Sequence, residues 1–265
     1  MIEDFIGIAF RQRVFFSAIF ASILCGIIGT VIVEKNMVMV SGGIAHMVFG
    51  GVGLGFLMGF EPILGAFVFA LAGAMTMAAM KKRDSKHMDG TIGVLWALGM
   101  ALGSIFIYLK PGEPPDIHAY LFGDIEAVRL LDLYPMALLT VVTIALTWAY
   151  MKHLKSYLFD EIFAEATGSA NGFFDYLIYV FVGVSVVVLL RLVGIILAIA
   201  LLTIPPMIAG RFTKRIETTM ALASVLGLVF SLAGMVLAYR YGLPSGASII
   251  LLACGVFIAT LPMGG

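Results

Sequence analysis

Charge is what this chain has least of. Only 12% of its 265 residues are Asp, Glu, Lys or Arg, about half the share (~25%) of an ordinary soluble domain. Hydrophobic residues make up 62%, and the mean hydropathy is +1.09. A water-soluble fold has no interior large enough for that much apolar side chain, so the excess must face lipid. The 16 basic and 16 acidic residues cancel, and a pI near 6.9 gives no footing to a nucleic-acid partner. Cysteine is equally scarce: Cys25 and Cys254 sit alone in separate apolar runs. They read as buried thiols acting as small hydrophobes, not as a disulfide or a metal pair. No G-x-x-x-x-G-K-[ST] phosphate loop occurs, which excludes ATP hydrolysis by that route. No H-E-x-x-H and no Cys/His cluster at metalloenzyme spacing occurs either, so an intramembrane metalloprotease and a self-contained pump are disfavoured. No catalytic residues are expected.

What is present is a succession of apolar runs near the ~20 residues a membrane-crossing helix needs. They fall at about 14–33, 38–59, 62–80, 91–109, 133–151, 173–190, 193–209, 218–239 and 247–263. This predicts an all-α, polytopic membrane helix bundle of eight or nine spans in a single domain, 1–265. The stretch 173–209 is too long for one crossing, and Arg191 with Gly194 marks a turn within it. Pro205 and Pro206 are expected to end or kink the second part. Residues 1–12 lack the pattern of a cleaved signal, because Glu3 and Asp4 precede the apolar part.

Basic residues collect in cytoplasmic loops. Lys81, Lys82, Arg83 and Lys86 form one such loop, Lys152 and Lys155 a second, Arg211, Lys214 and Arg215 a third, and Lys35 a weaker fourth. With nine spans this sets the N-terminus outside and the C-terminus in the cytoplasm, at the expense of Arg11 and Arg13 on the outer side. The outer loops are then acid-rich, with Glu61, Glu113, Asp116, Asp124, Glu126 and Asp132 around His118, a surface that favours an arriving cation. Asp89 opens the fourth span, where an acid suits the helix dipole or an ion exit.

One polar stretch interrupts the oil. Residues 151–171, MKHLKSYLFDEIFAEATGSAN, read as a short amphipathic helix on the inner face. Asp160 and Glu161 open a turn, Phe163 and Ala164 give it an apolar side, and Gly168 supplies a stop. Such an element is a docking surface for a cytoplasmic partner. Glycine, at 30 residues, is concentrated in Ser41–Gly59; Gly51, Gly55 and Gly59 keep the small-xxx-small spacing that lets membrane helices pack closely. His46 lies in the same stretch. An imidazole inside a span is a functional candidate and a common metal ligand.

Three blocks then fall in order along nearly the whole chain. They are Met37–Gly59, with His46 in A-H-x-x-x-G-G; Ala119–Val128, AYLFGDIEAV; and Phe159–Met220, with FDEIFAEATG followed by LRLVGIILAIALLTIPPMIAGRFTKRIETTM. Together they resemble the permease subunits of ABC importers for zinc, manganese or iron. The resemblance implies a type II importer permease in the cell (plasma or inner) membrane. It implies a homodimer, a cytoplasmic ATP-binding subunit that alone hydrolyses ATP, and an extracytoplasmic metal-binding protein that delivers the ion. No covalent cofactor is implied. Within 152–172, Asp160, Glu161, Phe163, Ala164 and Gly168 take the role of the helix that couples the ATPase to the membrane domain. His46 becomes the metal-contacting residue, and His46, Asp116, His118 and Asp89 candidate pathway residues. Many family members carry an aspartate one turn before this histidine, where this chain has Gly42, and a histidine near Ala97.

Two other transport classes remain in view. A secondary ion or metal transporter would need its own coupling-ion site, inverted repeats and midplane acids. A permease of the vitamin B12 and siderophore class would share the coupling logic but is usually longer, with ten spans. A membrane scaffold or intramembrane enzyme is disfavoured by the missing catalytic constellation.

Overall fold

The computed structural model describes residues 12–83, 85–112, 123, 130–159 and 172–263. These residues are helical almost throughout: α1 Gln12–Glu34, α2 Val38–Met58, α3 Pro62–Arg83, α4 Met88–Leu109, α5 Leu130–Phe159, α6 Gly172–Phe212, α7 Ile216–Tyr241 and α8 Ser245–Thr260. Backbone amides and carbonyls must be satisfied within the element when lipid surrounds it, which is why apolar runs become helices here. Hydroxyls inside the spans follow the same rule. Thr30, Thr143, Ser185, Thr203 and Ser224 each donate to a carbonyl one turn back.

Seven described stretches are long and apolar enough to cross a membrane: α1 to α5, the Val193–Phe212 arm of α6, and α7. Phe174–Leu190 and α8 are apolar but shorter. The 16 residues of α8 reach about 24 Å at the α-helical rise, short of the ~30 Å hydrocarbon core.

The expected turn in 173–209 is a kink. Gly194 takes φ 70° and ψ 173°, a region open essentially to glycine alone, and α6 bends there. Pro205 and Pro206 do not end the helix: they lie inside α6, which runs on to Phe212. The prolines lie where α6 comes closest to α1. A Cβ on Gly29 would stand 2.3 Å from the carbonyl oxygen of Leu202, so the two backbones touch.

The fifth apolar run, 133–151, lies in α5, which bends at Tyr150 (φ −107°, ψ 16°) and continues beyond the bend to Phe159. Leu154 and Tyr157 are buried at i, i+3 spacing and hold this last section to the protein. Asp132, read as a solvated loop acid, belongs to the first turn of α5 and is buried. A carboxylate there faces the positive end of the helix.

The chain divides into two compact units. One contains α1, α5 as far as Lys155, α6 from Val188, α7 and α8. In it α7 packs along α1 and against α8, with Gly26 seated on Ser224 and Gly234 on Ile249. The other contains α2, α3, α4, the end of α5 from Ser156, and α6 up to Val187. At its centre is α2, buried on nearly every side, with α3 and α4 packed along it. By contrast α4 buries only Ile92, Gly99, Gly103 and Ile107, one stripe, and exposes Val94, Leu98, Ile105 and Tyr108. In a membrane those side chains suit lipid or another apolar surface.

Glycines set the spacing of the second unit. A Cβ on Gly51 would stand 2.1 Å from the carbonyl oxygen of Gly65 in α3, and one on Gly55 would stand 2.6 Å from the Cα of Pro62. Two backbones in direct contact give the dispersion attraction that hydrophobicity cannot supply between helices in oil. Gly59 acts otherwise. It ends α2 in the left-handed conformation (φ 74°), with its amide bonded to the carbonyl of Gly55 and nothing within 4 Å of its Cβ position. It is a helix cap, and Pro62 starts α3 three residues later.

Candidate functional site

His46 is on α2, partly buried, with its ring lying on that of Trp96 from α4 at 3.8 Å between centroids and 29° between planes. Its Nδ1 is 2.7 Å from the carbonyl oxygen of Gly42, one turn back. A carbonyl can only accept, so Nδ1 carries the proton and Nε2 keeps its lone pair. This is the tautomer in which a histidine binds a metal through Nε2 while the other nitrogen is held by a backbone carbonyl. Gly42 contributes its main-chain oxygen. A Cβ there would meet only Trp96, at an ordinary 3.8 Å. The contact between α2 and α4 is much tighter just beyond. A Cβ on Gly99 would stand 2.4 Å from the Cα of Met47 and 2.6 Å from the carbonyl oxygen of His46. Gly99 is three residues after Trp96, so one closely packed section of α4 sets the position of the indole over the imidazole.

Asp89, in the first turn of α4, is exposed. Asp116 and His118 lie outside the described residues, as do Asp160, Glu161, Phe163, Ala164 and Gly168. Among the described residues, no three His, Cys, Asp or Glu side chains converge as a metal-holding group.

The structure adds a cluster that sequence reasoning did not single out. Lys81, in the last turn of α3, places its Nζ 2.7 Å from Oδ1 of Asp175 in the first turn of α6. The Tyr157 hydroxyl, from the end of α5, donates to the same oxygen, and Lys81 Nζ donates to the Tyr157 hydroxyl at 3.2 Å. Asp175 and Tyr157 are buried. The Tyr157 ring meets Phe174 edge-on at 5.2 Å between centroids, and Lys82 lies over Tyr176 at 5.9 Å. Asp175 could have been noticed as a carboxylate inside an apolar run, since an ionisable group there needs a partner. That Lys81 is that partner, 94 residues away, leaves no local trace. Trp96 is hidden in the same way. In the other unit, Lys155 near the end of α5 pairs with Glu217 at the start of α7, both about two-fifths exposed. Solvent screens an exposed pair of this kind, which adds little to stability.

The likenesses to known proteins run end to end. An uncharacterised membrane protein of Synechocystis is 38% identical over 95% of this chain and 90% of its own length. The manganese transport system membrane protein MntC of Listeria monocytogenes is 29% identical over 97% of this chain and 91% of its own. Among solved structures, PsaBC from Streptococcus pneumoniae in complex with Fab superposes with a TM-score of 0.86 at 30% identity, covering 98% of this chain and 95% of that one. The sequence model of the ABC 3 transport family matches residues 8–264, and the chain belongs to that family.

Proposed function

We propose that this chain is the membrane-spanning subunit of an ATP-driven importer of divalent metal ions, with manganese ahead of zinc as its cargo. The observation that carries the reading is the likeness over nearly its whole length to MntC and to the PsaBC chain. The chain supplies a conduit of the type II importer architecture and no ATPase of its own. Its partners are a cytoplasmic ATP-binding subunit, an extracytoplasmic metal-binding protein and a second copy of itself.

In this reading the delivered ion passes the outer acids around Asp116 and His118 and meets the Nε2 lone pair of His46, with carbonyls or water completing its shell. Sparse ligands suit a transport site, which must release as readily as it binds. The basic ends of α3 and α5 face the cytoplasm. Within one unit Lys81 meets Tyr157, and within the other Lys155 meets Glu217; each contact brings two of the basic loops to a shared end. Asp160, Glu161, Phe163, Ala164 and Gly168 engage the ATPase.

The test is purification of the tagged full chain from its own membranes, followed by reconstitution into proteoliposomes. A nucleotide-binding subunit is expected to co-purify, and ATP is expected to drive manganese uptake that zinc competes with. Absence of any such subunit, together with ATP-independent exchange of the ion, would replace the importer with a secondary carrier.

A further inference from the structure

We propose that Lys81, Tyr157 and Asp175 form a clamp that positions the coupling segment, so that a movement of that segment is delivered to α3 and thence to the helix carrying His46. This rests on the importer reading above and assigns the inner end of its force path.

Tyr157 and Asp175 are 18 residues apart and stand on either side of 160–171. Both helix ends that flank the segment therefore meet at one carboxylate oxygen, and Lys81 ties that oxygen to α3. Two helix ends joined in this way cannot be displaced one without the other. The arrangement is also costly to keep without a purpose. A carboxylate as enclosed as Asp175 (4% exposed) must be paired, and a buried ion pair is weak support for stability compared with apolar packing.

The receiving side is stiff. Met77 is one turn before Lys81 on α3, and its Cε would be 2.8 Å from a Cβ on Gly43, three residues from His46. Further along, α3 meets α2 backbone to backbone at Gly51 and Gly65. Gly183 of α6 lies on Ala70 and Ala74 of α3, with its Cβ position 3.3 Å from the Ala70 carbonyl oxygen. A displacement of the last turn of α3 therefore reaches α2 first through the Met77 side chain and, along the helix, through the Gly51–Gly65 backbone contact.

The deciding variant is Tyr157→Phe, which removes the shared hydroxyl and keeps the ring on Phe174. It is made in the full complex purified through a tag on this chain and reconstituted with Mn2+ as the probe ion. The expected result is a folded complex that melts only slightly lower, a retained nucleotide-binding subunit and continued ATP hydrolysis. The Mn2+ imported per ATP hydrolysed falls about tenfold, the scale of one hydrogen bond to a charged group. Asp175→Asn moves the ratio the same way; should it fail to fold, Tyr157→Phe decides alone. An unchanged Mn2+-to-ATP ratio in Tyr157→Phe overturns the clamp, as does a fall in transport matched by an equal fall in hydrolysis and in folded protein. Glu161→Arg separates the two levels of the argument. If it releases the ATPase while Tyr157→Phe transports normally, only the clamp is wrong. If it leaves the complex attached and coupled, the assignment of 160–168 fails with it.

Discussion

Replacing Gly99 by alanine tests whether close packing positions the aromatic pair at His46. The new methyl would stand 2.4 Å from the Cα of Met47 and 2.6 Å from the carbonyl oxygen of His46, both backbone atoms, whereas ordinary contact begins at 3.4 Å. No rotamer change relieves a clash with backbone, so α4 must withdraw from α2 by about 1 Å, enough to forfeit roughly a quarter to a half of each dispersion well along the contact. Overpacking of this kind costs about 1–3 kcal/mol. Gly42→Ala is the internal control, because its Cβ would meet only Trp96 at 3.8 Å. Alanine there should be neutral, or stabilising by up to about 1 kcal/mol through helix propensity. The assay is thermal unfolding in detergent in a Trp148→Phe background. Trp148 is 85% exposed, and its removal leaves Trp96 the sole tryptophan of the two in the chain. Gly99→Ala is expected to melt lower and to red-shift the Trp96 emission as the indole loses its cover. Coincident melting curves for Gly99→Ala and Gly42→Ala would refute the reasoning, since the two differ in the space available to the methyl.

Three further outcomes are expected. Glu161→Arg should abolish coupled ATP hydrolysis while the chain still inserts and folds, which co-purification with the nucleotide-binding subunit and a phosphate-release assay would read; full coupling would remove the segment's docking role. His46→Ala should lower manganese uptake without loss of assembly, checked by proteoliposome transport beside size-exclusion chromatography, and normal uptake would return His46 to packing. Gly194→Ala should destabilise the protein by about 1–3 kcal/mol, the strain of holding an L-residue at that dihedral; an unshifted melting temperature would mean that α6 straightens without loss.

Long-range placement is where the sequence falls silent, and the reason is physical. Apolar length and breaks by charge or glycine are local properties. They located the helical runs and the Gly194 kink, since a hydrophobic stretch longer than the bilayer must bend or turn back. They also put the end of the fifth span near residue 151, beside the bend of α5 at Tyr150. Beyond the bend Leu154 and Tyr157 continue a buried stripe past Lys152 and Lys155, a pattern open to a reader weighing period above polarity. Pro205 and Pro206 lie where α6 meets Gly29 of α1, a contact between residues far apart in the chain that no local pattern shows.

The candidate site divides along the same line. His46 stood out because an imidazole is rare in a span, and the Gly42 carbonyl that holds it is one helical turn away, visible from spacing alone. Trp96 over its ring, and the Lys81–Tyr157–Asp175 cluster, join residues whose nearness is created only by folding. A chain so poor in charge still offers a way to search for such partners. Each ionisable side chain placed inside a span incurs a desolvation cost that only a partner can offset, so every one of them is a question about another part of the sequence. Asp175 posed that question from within an apolar run, and its partner had to come from the small set of basic residues at helix ends. Composition thus narrows the candidates to a few lysines and arginines, and geometry alone selects among them.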